Sequence, residues 1–151
     1  MVGGIQVMNN FLFAIDGKTS RTYAYPCTDR TAGGKFYIDT LQKLHIVKYA
    51  RLGGDSDEVV TNFKTLYPMR VSSFGLEGNN TMAELIAYVK SVVKSGGKRI
   101  FMFHDIRAEN ITMSVSAHQT LITYLKKNKK SIWVTTFKKW MDYVMGQRKV
   151  L

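Results

Sequence analysis

Three histidines, one cysteine and eleven acidic residues are what this chain offers for acid–base or metal chemistry. His45, His104 and His118 stand 59 and 14 residues apart, so no pair has the short spacing that brings two imidazoles onto one metal from a single element. No Asp-Asp dipeptide occurs, and the lone Cys27 can form no intrachain disulfide. Three short runs remain: Tyr25-Pro26-Cys27 leading to Arg30, Arg51 leading into a loop with Asp55 and Asp57, and His104-Asp105. A histidine titrating near neutrality suits proton transfer to a leaving group, and one at a strand end also bonds to backbone. Asp105 would orient a partner's imidazole or cap the turn that follows it. Arg51, ending a buried strand, calls for an anionic partner, for which Asp55, Asp57 and a carboxylate from outside this sequence are candidates. The Asp-Ser-Asp run matches a hard-cation loop only faintly, and an isolated acidic loop is ordinarily solvated.

The elements that must position these residues follow from hydrophobic periodicity. Ile5–Ile15 has helical spacing and stops at Asp16-Gly17, a turn signal. Arg21–Tyr25 is a short strand that Pro26 ends. Lys35–Leu44 recovers helical spacing, Ile46–Arg51 is a strand, and Arg70–Phe74 is a weaker one. Asn80-Thr81 offers caps for a helix carrying Leu85, Ile86, Val89, Val92 and Val93, closed by Gly96-Gly97. Arg99–Phe103 is a nearly continuous apolar run, the pattern of a strand buried on both faces. Ser114 or Ser116 opens a further helix whose start His118 helps to cap. Ile132–Thr135 is a last buried strand, and Phe137–Met145 a final amphipathic helix. Trp133 and Trp140 are expected in the core. Strands alternating with helices imply βαβ units, hence a parallel sheet or barrel with right-handed crossovers, in one domain. In such folds chemistry collects at the C-terminal ends of strands, where all three runs fall.

Composition bounds the rest. Hydrophobic residues at 45% and charged residues at 22% are ordinary globular usage, and 151 residues suffice for a real core. No apolar run has the length to cross a bilayer, and the opening residues lack the basic-then-apolar pattern of a signal peptide. The formal net charge of +11 would attract phosphates or acidic polymers. Much of the excess sits in Lys126–Lys130 and in Lys138 and Lys139, near apparent helix ends, where it complements the helix dipole. That distribution favours a solvated face over a nucleic-acid patch.

The strand ends carry a resemblance. TYAYPCTDR is similar to the third motif of the polysaccharide-deacetylase, or NodB-homology, family of carbohydrate esterases, written F-(R/A)-Y-P-x-G. FMFHDI resembles the family's fifth motif, an apolar strand ending in histidine. VSAHQTLITYLKKNKKSIWVTTFKKWMDYV resembles its closing helix–strand–helix, closest to the branch found beside xylan-degrading enzymes. The matches run from about Ile5 to Val144. Two departures stand out: Thr28 occupies the usual glycine position, where a left-handed turn would strain a threonine, and Ala24 replaces a frequent arginine.

The resemblance implies an α/β fold, a partial or rearranged (β/α) barrel of about five mostly parallel strands with flanking helices. It implies a hydrolase that removes acetyl groups from xylan- or chitin-type carbohydrate. In that family zinc or another divalent metal, held by an aspartate and two histidines, activates water beside an aspartate base. Those groups come from an Asp-Asp pair and an H-x-x-x-H pair, neither of which occurs in this sequence. The chain thus supplies no metal ligands, and the metal-binding strands are expected upstream of Met1. What carries over is His104 as general acid, the Cys27 backbone N–H as an oxyanion donor, and Arg51 with Asp55 in the loop that tunes the base. Tyr25, Pro26, Arg30 and Asp105 fall on the substrate side, with Tyr25 placed equally well in the core and the Cys27 thiol in a buried pocket. Expected partners are acetylated polysaccharide, and either a second copy or a missing N-terminal half to cover the exposed sheet. Family membership implies a secreted or periplasmic protein. A non-catalytic glycan-binding or assembly module and a basic nucleic-acid binder are the competing classes.

Overall fold

A computed structural model describes residues 1–54, 58–76, 80–106 and 113–149. Their contacts divide them into two compact units: 1–53 with 66–71 and 137–151, and 54–65 with 72–136. The protein is mixed α/β; the described residues form five α-helices and three two-stranded sheets and no closed barrel.

In the first unit, helix α1 (Val2–Asp16) ends at Gly17, whose left-handed φ of 65° lets its N–H reach the Phe13 carbonyl at 2.8 Å. Strand β1 (Thr22–Ala24) lies parallel to β4 (Tyr49–Arg51), with Thr22 opposite Tyr49 and Ala24 opposite Arg51. Val71 extends this pairing by a parallel bridge to Arg51. Between the two strands, Lys35–Leu44 divides differently from its helical spacing. Gly33 and Gly34, both at positive φ, turn a small hairpin of β2 (Thr31–Ala32) and β3 (Lys35–Phe36), and α2 is only Ile38–Lys43. The core gathers Tyr25, Tyr37, Ile38, Leu41, Ile46, Val47, Ala50, Leu52 and Met69. Helix α5 (Phe137–Gln147) buries Met141 and Val144, and its Asp142 accepts from Lys48 Nζ at 2.6 Å, from Lys138 Nζ at 2.8 Å and from the Tyr49 hydroxyl at 2.9 Å.

In the second unit, β5 (Phe74–Leu76) runs parallel to β6 (Phe101–Phe103). Helix α3 (Met82–Ser95) starts at the expected cap: Thr81 Oγ1 accepts from the Glu84 N–H, and Glu84 Oε2 accepts from the Thr81 N–H at 2.7 Å. Gly96 closes it at φ 63°. Helix α4 (Val115–Lys127) is capped by Ser114, whose Oγ accepts from the Ala117 N–H. Leu85 and Val89 of α3 and Ala117 and Leu121 of α4, each pair four residues apart, face Phe74, Leu76 and Met113.

Three expectations change. Residues 132–135 are assigned to no strand: although Ile132, Val134 and Thr135 favour extended backbone, Ile132 donates back to the Asn128 carbonyl. Trp133 is correspondingly 52% exposed rather than in the core. β6 is half-buried rather than covered on both faces, and among the described residues its ladder partner is β5.

Candidate functional site

The turn after β1 is the most constrained piece of backbone in the first unit. Pro26, with its fixed φ and no N–H, ends the strand and opens a single 3-10 turn over Pro26–Thr28. Inside it Cys27 has φ 49° and Thr28 φ 61°, two consecutive non-glycine residues in the left-handed region. The Thr28 N–H donates to the Tyr25 carbonyl at 3.2 Å and the Asp29 N–H to the Pro26 carbonyl at 2.9 Å. Thr28 therefore does adopt the conformation that its side chain disfavours, and the surroundings have to hold it there.

Those surroundings are tyrosines. Tyr25 is 3% exposed, its N–H donates to the Arg51 carbonyl, and its hydroxyl donates to the Met69 carbonyl at 3.0 Å. Its ring meets Tyr23 edge-on at 5.2 Å and Tyr37 at 5.8 Å. Tyr37 then donates its hydroxyl to the Asp29 carbonyl at 2.7 Å and its N–H to the Arg30 carbonyl, fixing the far side of the loop. Burial pushes the Tyr25 phenol up to about 12, with Tyr23 adding to it, and burial also raises the Tyr37 phenol. Both stay neutral donors at physiological pH. Tyr25 is thus a core residue beneath the turn, too deeply buried to form a wall against substrate.

Cys27 is exposed, so its thiol does not sit in a pocket. A left-handed backbone after the proline swings the residue outward. Among the described residues its N–H meets no acceptor. Pro26 is exposed beside it and Arg30 is half-buried. Arg51 is half-buried and donates from Nη1 to the Leu52 carbonyl at 3.1 Å. Asp55 and Asp57 lie outside the described residues.

In the second unit, His104 follows the last residue of β6 and is exposed. Asp105 bonds locally: its Oδ1 accepts from the Ile106 N–H at 2.6 Å and its carbonyl from the Met113 N–H at 3.2 Å. His118 does not cap α4, since Ser114 fills that role. Its half-buried ring instead packs edge-on against Phe103 at 5.4 Å, one turn into the helix. His45, at the end of α2, is exposed and takes φ 51°.

The turn residues and Arg51 belong to the first unit, and His104 and Asp105 to the second. Among the described residues no three His, Cys, Asp or Glu side chains gather where they could hold a metal ion. Sequence inspection missed Tyr37 as the loop's anchor and Asp142 as the partner of Lys48, for which the chain carries no local signal. Comparison with family models, with curated proteins and with solved structures returned no match. The fold and the turn define a mixed α/β protein with an exposed, left-handed turn between β1 and β2.

Proposed function

We propose that the chain is a polysaccharide-deacetylase-like domain, the later part of a NodB-type (β/α) barrel, that contributes the oxyanion and acid side of a carbohydrate deacetylation site and is inactive alone. The observation that carries this reading is the turn at Cys27: an exposed residue whose N–H has no acceptor among the described residues, after a strand-ending Tyr-Pro, on a loop held by buried tyrosines. A backbone donor fixed before reaction is what stabilises a tetrahedral oxyanion formed at an acetyl carbonyl. His104, exposed at the end of a parallel strand, suits proton delivery to the departing sugar oxygen or nitrogen. The water-activating side lacks its motifs in this sequence, which is why no turnover is expected.

The test measures acetate release from acetylated xylan and from chitooligosaccharide, with and without zinc. The chain alone is expected to release none. Mixed with a polypeptide bearing the family's Asp-Asp and H-x-x-x-H strands, it is expected to restore release that His104→Ala removes. Turnover by the chain alone sinks the incompleteness. Failure to restore release, together with no calorimetric binding of acetylated oligosaccharide, sinks the family reading.

Trp133 favours a second reading, a non-catalytic glycan-binding module, because its half-exposed ring offers a stacking face for a sugar. Under that reading Trp133→Ala abolishes oligosaccharide binding while His104→Ala leaves it unchanged.

A further inference from the structure

We infer that α1 is a self-association surface on which two copies of this chain pair antiparallel across a two-fold axis. The helix has no fully buried residue. Val2 and Ile5 touch the core, and the Asn9 side-chain amide donates to the Ile46 carbonyl, so one narrow side attaches it. At 100° per residue the other side carries Gly4, Val7, Met8, Phe11 and Ile15, while Leu12 lies beside Ile5. Val7 is 54% exposed, Met8 58%, Phe11 66% and Ile15 80%. An apolar helix face of this width ordinarily has a cover.

Charge and shape select the cover. A chain of formal charge +11 repels its own copy wherever lysines and arginines meet, and residues 1–17 contain neither. The same absence argues against a membrane surface, since interfacial helices line their polar face with Lys and Arg, whereas α1 has Gln6, Asn9 and Asn10. Antiparallel pairing sets Gly4 opposite Ile15 and Met8 opposite Phe11, each pair made twice by the two-fold. The smallest residue then meets the most exposed branched one: a Cβ added at Gly4 touches nothing, which leaves room for Ile15 of the second copy. A methionine faces an aromatic ring, a favourable sulfur contact.

The experiment is sedimentation equilibrium of the whole chain at about 100 μM. The expected mass is twice the 17.2 kDa of one chain. Phe11→Lys is expected to halve it with the circular dichroism spectrum unchanged, since the position is exposed, and Ile15→Lys gives the same readout should the first variant misfold. Lys129→Glu, a charge reversal elsewhere, keeps the dimer. In a Cys27→Ser background, Met8→Cys with Phe11→Cys is expected to form an intermolecular disulfide on oxidation. A monomeric wild type, a dimer that survives both lysine variants, or a monomer that sediments with phosphatidylcholine vesicles overturns the proposal. None of these readouts depends on deacetylation.

Discussion

A threonine held at φ 61° costs on the order of 1 kcal/mol, because its branched Cβ crowds the carbonyl in the left-handed region. Thr28→Gly is therefore expected to raise the urea midpoint by an amount equivalent to about 1 kcal/mol, less the backbone entropy that glycine adds to the unfolded chain. A midpoint that falls would mean that the threonine side chain contributes contacts outweighing its strain. Asp142 makes a second residue-scale case. The hydrogen bonds from Lys138 and Lys48 hold its carboxyl well below the usual carboxylate range, and those from Arg21 and the Lys18 N–H bring Asp16 down to about 2. A folded-state pKa lowered in this way adds stability above the unfolded value near 4, and that stability is lost as pH falls through the folded value. Stability is thus expected to fall steadily from about pH 4 towards pH 2. Asp142→Asn should flatten part of that slope and cost about 1 kcal/mol or less at pH 7, as befits a partly exposed pair. Denaturant titration at several pH values checks both.

Among the elements, those that carry their own punctuation were legible in the sequence. Thr81 with Glu84, Ser114, Gly17 and Gly96 each mark a helix end by local chemistry, and the four-residue spacing of Leu85 and Val89 marks the inner face. Strands were legible only as places where the chain is extended, since pairing depends on a partner far away. Ile132–Thr135 has strand composition and no ladder, while Thr31–Ala32 and Lys35–Phe36 pair with almost no signal beyond Gly33-Gly34. The left-handed backbone at Cys27 and His45 was equally hidden, because neither is glycine. Two element-scale outcomes follow. Thr81→Ala removes the capping box of α3 and should cost about 1 kcal/mol. Gly97→Ala should cost more, about 2 kcal/mol, because the new Cβ would lie 2.4 Å from Val59 Cγ1 and 2.8 Å from the Val60 carbonyl. Equilibrium unfolding that ranks them the other way would mean that the Val59–Thr61 segment yields readily.

For the whole molecule the controlling quantity is charge. Twenty-two cationic side chains against eleven acidic ones make the folded state repel itself. Raising sodium chloride from about 20 mM to about 200 mM shortens the screening length from roughly 20 Å to roughly 7 Å. The melting temperature is expected to rise by a few degrees, whereas a fall would show that the Asp142 and Asp16 pairs outweigh the general repulsion. The three tyrosines beneath the Cys27 turn have a consequence of an optical kind. Tyr23, Tyr25 and Tyr37 meet edge-on in succession at 5.2 and 5.8 Å, close enough for their electronic transitions to couple. Coupled rings locked in a chiral stack give a near-ultraviolet circular dichroism band far stronger than isolated phenols do. Tyr37→Leu should dim that band while leaving the helical far-ultraviolet signal intact, making the stack a built-in reporter of whether the strained turn still has its foundation.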